Sequence, residues 1–566
     1  MLVRVIDSQT FLDMVRSGAE RLNRSVDQVN ALNVFPVPDG DTGTNMNLTL
    51  TSGVKELERQ AASKGHVGQM AEALSKGLLM GARGNSGVIL SQLFRGFGKG
   101  VAEKEVLTSR EFAEGLKRGV DTAYKAVIKP VEGTVLTVAR EAAEKAVRMS
   151  HRTESLAEMM EMVLEAARKA LQRTPEQLPV LAQAGVVDAG GQGLVLIYEG
   201  FLAALTGEDV SYTVTEADAG TADLDRLGEI AHKQSAQSHF ETGDIEHGYC
   251  TEFIVKLKPD KLLETPFSEE KFRADMGGFG DSLLVVADDD LVKVHIHAEH
   301  PGETLTYAQR YGELTRIKIE NMREQHASIL DSEHRDTQQG ESVSKPVTKR
   351  YGLVAVAIGD GVSEIFRSLG ADVVIQGGQT MNPSTEEIVQ AVQGIPAEHV
   401  FILPNNKNII MTAEQVTELV EVPVTVLPTR TIPQGLAALL SFSEEEDVKM
   451  NQKRMMESVQ GVSSGEVTYA IRDSQYEGGA IKEGDFLGIR EGRIEAVGAE
   501  MLATSRELLA RMLANGGDVV TLLYGEDVTQ AQVQELTHFL EKEYPDVECE
   551  VHYGGQPLYY FLFSVE

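Results

Sequence analysis

The sequence predicts a multidomain protein, all-helical at the N-terminus, small α+β in the middle and α/β at the C-terminus. Residues 8–205 place apolar side chains three and four apart, the repeat of helices with one buried face. From about residue 240 to 330 the repeat becomes alternation, which marks strands. From 351 onward short apolar runs are separated by helical segments, the pattern of a parallel sheet covered by helices. Polar stretches at 207–225 and 332–350 divide the three, giving domains of residues 1–206, 226–331 and 350–566.

Each part rests on particular segments. Helices are predicted at Gln9–Val15, Met70–Met80 and Glu154–Leu164, with Met159, Met160 and Met162 assigned to core packing. The most apolar window, Val186–Thr206, contains Asp188, Gln192 and Glu199 and reads as a buried turn and helix, not a membrane span. In the middle, Thr251–Lys258 and Leu291–His297 are predicted strands, with helices near 268–276 and 303–313. Beyond it, Tyr351–Ile358, Ala371–Ile375, His399–Leu403 and Val422–Leu427 read as strands of the parallel sheet, and a later lobe runs from Glu466 to the end.

At 566 residues with 42% hydrophobic content, the chain can fill conventional cores in about three or four domains. A formal charge of −33 argues against nucleic acid and against docking on an anionic membrane. Small molecules, metal ions or a partner with a basic patch remain. Met1 is followed by no charged-then-apolar leader, and Cys250 and Cys549 are the only cysteines, which together predict a cytoplasmic setting without a disulfide framework.

The chemistry is concentrated in Asn33-Val-Phe-Pro-Val-Pro-Asp39-Gly40-Asp41-Thr-Gly43-Thr44-Asn45. Prolines stiffen the approach, Gly40 and Gly43 allow backbone conformations closed to other residues, and the two carboxylates are hard oxygen ligands for Mg²⁺. The helix that follows offers N–H groups and a positive dipole end to phosphate. A surface turn is the plain alternative. An EF-hand fails, because Gly43 and Leu50 stand where a ligand and a glutamate are needed. No Gly-Lys-Ser/Thr follows a glycine-rich turn, so a P-loop fails too. Three further segments match this chemistry: Gly81-Ala-Arg83-Gly84-Asn85-Ser86-Gly87, with Ser86 as expected helix cap; Glu132-Gly133-Thr134, a hydroxyl at a helix start; and Asp188-Ala-Gly190-Gly191-Gln-Gly193, a flexible turn with one carboxylate.

Asp39-Gly-Asp41-Thr-Gly, Gly84-Asn-Ser86-Gly87 and Asp188-Ala-Gly-Gly191-Gln-Gly together resemble the nucleotide-binding domain of dihydroxyacetone kinases. Within that superfamily, Asn33-Val-Phe-Pro-Val-Pro-Asp-Gly-Asp is similar to the catalytic subunit of bacterial fatty acid kinase. The resemblance implies an all-α helical barrel at the N-terminus holding ATP and two Mg²⁺, and a homodimer formed through the middle or C-terminal domains. It also implies a DegV-like fatty-acid-binding protein as partner, and an acyl phosphate that serves phospholipid metabolism. The dihydroxyacetone enzymes carry a third metal-binding aspartate upstream; here the nearest candidate is Asn33, a poorer ligand at a different spacing. The C-terminal half resembles the DegV-like lipid-binding proteins themselves. Its loop Gly378-Gln-Thr380-Met-Asn382-Pro383-Ser384 stands where those proteins hold a carboxylate after the second strand, and is expected to be a non-binding copy used for docking or assembly.

A second constellation lies in the middle domain. His295 and His297 alternate along one strand, and Cys250 heads another, a ligand set that suits Zn²⁺ with one open position. Structural roles for all three are the plain alternative, with His247 and His300 weaker candidates. The assembled expectation is that Asp39 and Asp41 hold Mg²⁺ on ATP while Thr44, Asn45, Gly84, Asn85, Ser86, Gly87, Thr134, Asp188 and Gly191 form the nucleotide cradle. His295, His297 and Arg83 then offset charge where a fatty carboxylate meets phosphate. A kinase for a small hydroxyl compound and a non-catalytic lipid-binding scaffold remain as rivals.

Overall fold

The computed structural model describes residues 3–33, 37, 40–62, 65–127, 129–207, 249–258, 261, 267–287, 291–321, 349–378, 382–476 and 478–566. The chain divides into two compact units, Met1–Ser211 with Pro346–Glu566, and Tyr212–Lys345.

The N-terminal part of the first unit is built from α1 (Ser8–Asn23), α2 (Val26–Asn30), α3 (Thr42–Ala62), α4 (Val67–Met80), α5 (Gly84–Val101), α6 (Ser109–Ala126), α7 (Val135–Ser150), α8 (Leu156–Gln172), the short α9 (Thr174–Gln177) and α10 (Pro179–Ala184), and α11 (Ala189–Thr206). A two-strand ribbon, β1 (Val5–Ile6) with β2 (Leu107–Thr108), ties the ends. Local signals start the helices: Asp7 accepts the Thr10 N–H before α1, and Thr108 and Glu111 close a capping box before α6. Apolar stripes such as Phe11, Leu12, Met14, Val15 and Leu22 on α1 then turn inward, and Met159 and Met160 are fully buried in the same core. Neighbours follow in order: α3 packs on α4, α4 on α5, α5 on α6, α6 on α7, α7 on α8, α8 on α11, α11 on α1 and α1 on α3. Among the described residues no helix is long and apolar enough to cross a membrane.

The second unit contains an antiparallel sheet in the order β4-β5-β3-β6, from β3 (Tyr249–Leu257), β4 (Gly280–Ala287), β5 (Leu291–Ala298) and β6 (Gly312–Asn321). Helices α12 (Glu269–Met276) and α13 (Pro301–Ala308) accompany it, and Phe272, Met276 and Tyr307 join Phe253, Val294 and Ile296 in one core. The second helix is shorter than the 303–313 expected. Proline opens it at 301, and by Gly312 the chain is already a strand, so close to Lys256 that a Cβ would lie 1.9 Å from its carbonyl oxygen.

The C-terminal part returns to the first unit. Strands β7 (Lys349–Ala357), β8 (Val373–Gln376), β9 (Ala397–Leu403) and β10 (Val424–Val426) form a wholly parallel sheet in the order β10-β9-β7-β8. Helices α14 (Asp360–Ser368), α15 (Thr385–Gln393), α16 (Ile410–Val416), α17 (Ile432–Leu440) and α18 (Val448–Gly461) belong to this part. The later lobe is a six-stranded sheet, β15-β14-β11-β18-β16-β17, with helices α19 (Met501–Met512) and α20 (Gln530–Glu543). Its strands are β11 (Ser463–Tyr469), β14 (Phe486–Arg490), β15 (Arg493–Gly498), β16 (Val519–Tyr524), β17 (Glu548–Tyr553) and β18 (Phe561–Val565); β12 (Ser474–Tyr476) and β13 (Gly479–Ile481) pair apart from it.

Two contacts tie the later lobe to the approach of the Asp-Gly-Asp segment. Val37 is buried in a cluster with Ala470, Ile481, Leu487 and Ile489. The Arg472 guanidinium donates to the carbonyl oxygens of Ala31 and Asn33.

Candidate functional site

Asp41 stands immediately before α3 and is buried, with Asn45 buried one turn on. A helix start leaves its first N–H groups without intrahelical partners. At α3 two of them go to Asn30 on α2, whose Oδ1 accepts from Gly43 (2.7 Å) and Thr44 (3.2 Å). Its Nδ2 donates to the Thr44 hydroxyl at 3.0 Å. Asn30 escapes a reading of the sequence because it caps a helix twelve residues away, whereas an ordinary cap lies next to its helix. Asn33, expected as a possible metal ligand, accepts the Thr42 hydroxyl on Oδ1 at 2.7 Å and so braces the turn. Gly43 serves close approach: a Cβ there would lie 2.4 Å from the Val26 carbonyl oxygen. Asp39 lies outside the described residues.

The start of α5 faces this turn. Gly84 has φ +57°, and a Cβ on it would lie 2.6 Å from Asn45 Nδ2, so the position needs glycine for both conformation and space. The left-handed glycine lets the helix begin at 84, which makes Arg83 the cap residue and puts Ser86 inside the first turn. The expected Ser86 cap is therefore corrected. The Arg83 side chain makes no capping bond, leaving the first N–H groups of α5 beside Asp41 and Asn45. Gly87 is pressed against Thr49, whose hydroxyl donates to the Asn45 carbonyl at 2.6 Å and accepts the Arg83 N–H at 3.2 Å.

Met46, next to Asn45, carries the contact to α11: a Cβ on Gly193 would lie 2.7 Å from its sulfur. The glycines at 190, 191 and 193 belong to α11 and are not a flexible turn. Close packing explains them, since a Cβ on Gly191 would lie 2.9 Å from Val138. Asp188 is the cap of α11, accepting the Gly191 N–H at 2.6 Å, and it also receives the Val135 N–H at the start of α7. Thr134 precedes that helix, its hydroxyl donating to the Val131 carbonyl at 2.7 Å.

Burial outweighs those two hydrogen bonds and pushes the Asp188 carboxyl up to about 6. The folded chain then keeps a proton that the unfolded chain has lost above about pH 4. This contribution to stability is full below about pH 4 and lost as pH rises through 6. Urea unfolding between pH 4 and 7 is expected to show this downward slope, and Asp188→Asn to flatten it.

The residues present suit a divalent cation and a polyphosphate. Asp41 supplies a carboxylate, α5 supplies N–H donors, and Asn85 Oδ1 is a buried acceptor without a hydrogen-bond partner. Asn382 comes from the loop after β8, and its Nδ2 donates to Asp41 Oδ2 and, at 3.4 Å, to Asn45 Oδ1. Arg83, expected beside the reacting groups, is committed to the same loop: Nη1 donates to the Asn382 carbonyl at 2.7 Å and lies 3.1 Å from Glu387 Oε2. Residues 379–381, with Thr380, lie outside the described residues.

In the middle unit, Cys250 on β3 is the Cα partner of His297 on β5, and Glu252 the partner of His295. The two histidines take the register positions that alternate with buried Val294 and Ile296. The side chains of Cys250, His295 and His297 lie outside the described residues, as does His247. Among the described residues no group of three or more His, Cys, Asp or Glu is arranged to hold a metal ion, and the Zn²⁺ expectation gains no support.

Known families divide the chain at similar places. Residues 36–203 match the DAK2 domain, 246–329 the middle domain of the FakA-like fatty acid kinase proteins, and 352–566 the C-terminal domain of the same proteins. Protein YloV of Bacillus subtilis (strain 168) is 50% identical over 566 residues, covering 100% of both chains. The dihydroxyacetone kinase from C. freundii in complex with AMP-PNP and Mg²⁺ covers 34% of this chain and 33% of its own at 19% identity and a TM-score of 0.28. The Streptococcus pneumoniae Fatty Acid Kinase (Fak) B3 protein loaded with linoleic acid covers 38% of this chain and 99% of its own, at 8% identity and a TM-score of 0.25. Matched in all three parts and along its whole length, the chain belongs to the FakA-like fatty acid kinase family.

Proposed function

We propose that this chain transfers the terminal phosphoryl group of ATP to the carboxylate of a fatty acid held by a separate DegV-like binding protein. A carboxylate oxygen attacks the terminal phosphorus, the bond to the bridging oxygen breaks, and ADP and acyl phosphate leave. The observation that carries the reading is a buried carboxylate, Asp41, joined through the Asn382 amide to the start of α5, whose first N–H groups have no side-chain cap. Family membership in all three parts supports the same reading.

Asp41, with Asp39, is assigned to two Mg²⁺, which when bound neutralise phosphate charge. Asn45, Gly84, Asn85, Ser86 and Gly87 are assigned to the phosphates, with Thr44 and Asn30 positioning the loop; Thr134, Asp188 and Gly191 complete the nucleotide side. A fatty carboxylate is already ionised near neutral pH, so positioning and charge neutralisation suffice and no strong base is required. The N-terminal helices are read as a closed barrel (residues 1–206), followed by a middle domain (226–331) and a DegV-like domain (350–566). A cytoplasmic homodimer completes the proposal.

ATP consumption by the purified protein tests it. Turnover is expected with a fatty-acid-loaded DegV-like protein and not with dihydroxyacetone; the reverse result overturns the assignment in favour of a small-molecule kinase. His295 and His297 are assigned to offsetting charge during transfer. For them, His297→Ala is expected to lower turnover about 10²-fold while leaving Mg·ATP binding unchanged; unchanged turnover removes that role.

A further inference from the structure

We infer that the C-terminal part of the chain is a reversible plug on the nucleotide site, seated along α5 and at the start of α3. The inference rests on the proposed nucleotide site and adds what covers it.

The plug is Asn382 together with the start of α15. Asn382 is 1% exposed and points its amide N–H₂ at Asp41 and Asn45, so a hydrogen-bond donor stands where a cation would meet the Asp41 carboxylate. The same Nδ2 would lie 3.4 Å from a Cβ on Gly84, which puts it over the first residue of α5. Backbone joins backbone one step away, Thr385 N–H donating to the Ala82 carbonyl at 3.1 Å. From there the contact climbs α5 as matched side chains: Arg83 with Glu387, Asn85 with Asn408, Gln92 with Gln415 and Arg95 with Glu418. Twelve residues of helix make this seat about 18 Å long. Phosphoryl transfer requires the attacking oxygen to approach the terminal phosphate close to the cation ligands. That approach is the face Asn382 covers, so nothing can deliver an acceptor there while the segment is in place.

The chemistry of the seat is that of an exchangeable contact. Along α5 the pairs are two amide–amide bonds and two ion pairs that reach solvent, with Glu387 49% and Glu418 61% exposed, and such ion pairs hold weakly. At its centre Asn85 Oδ1 and Asn382 Oδ1 are buried without partners.

A reversible cross-link tests this in the full chain. Ala82 and Thr385 meet through their backbones, so Ala82→Cys with Thr385→Cys can form a disulfide on oxidation, and the reduced form of the same protein is its reference. Mg·ATP binding, measured by calorimetry, is expected to weaken at least about tenfold on oxidation and to return on reduction, while Mg·ATP slows disulfide formation. Independently, Arg95→Glu is expected to raise Mg·ATP affinity about three- to tenfold, and Arg95→Glu with Glu418→Arg to bring it back. Equal affinity in oxidised and reduced protein, together with no effect of Arg95→Glu, overturns the plug while leaving the nucleotide site standing. Absence of Mg·ATP binding in the reduced protein and in wild type removes the site itself, and the plug with it.

Discussion

Asp41→Asn is expected to lower acyl phosphate formation on the order of a thousandfold and to leave the fold intact. The substitution keeps the size of the side chain and one oxygen but removes the charge that a divalent ion needs at this buried position. The fold should tolerate it because α3 does not depend on that carboxylate for its start. Asn30 takes the Gly43 and Thr44 N–H groups, and the Asp41 backbone carbonyl, which the change leaves alone, receives the Asn45 N–H at 2.8 Å. Acyl phosphate assay, with circular dichroism as control, separates the two effects. Wild-type turnover in folded Asp41→Asn would end the metal assignment.

Gly200→Ala is expected to destabilise the N-terminal helices by about 3 kcal/mol, the upper end of the usual cost of overpacking. The added Cβ would lie 2.4 Å from the Gly18 nitrogen and from the Ser17 carbonyl carbon and oxygen. These are backbone atoms, which cannot rotate aside as a side-chain end does, so α1 and α11 must separate. That pair closes the circuit of neighbours, and Phe11, Met14, Val15 and Leu22 on α1 lose their packing together. Thermal unfolding measures it; a melting temperature within a degree or so of wild type would show that the two helices can slide apart without loss.

What the sequence revealed and what it hid divide along physical lines. Periodicity reports which face of an element is buried, so α1, α4, α8 and the four parallel strands were legible, as was the entry into α3 after the Asp-Gly-Asp segment. It does not report what covers that face. Nothing near Asp41 announces Asn382, because the two meet only when a β8 loop more than three hundred residues later is laid on α5. The Ser86 cap was misplaced for a related reason. Cap rules favour hydroxyls, but at this turn a left-handed glycine beside Asn45 decides where the helix begins. The glycines at 190, 191 and 193 looked like a flexible turn because composition alone cannot tell freedom from crowding; each sits in a helix with no space for a methyl group or only a tight fit. The loop after β8 was expected to serve docking or assembly; in the fold its Asn382 bonds to Arg83 and Asn45 of the same chain.

Val37 gives this architecture its set-point. An isopropyl group lodged among Ala470, Ile481, Leu487 and Ile489 must be wetted before the two ends of the chain can part. Wetting one valine costs about 2 kcal/mol, or roughly thirtyfold in an equilibrium. This adds to the Arg472 bonds to Ala31 and Asn33, so trimming or enlarging this single aliphatic group should shift the proposed opening by a corresponding factor.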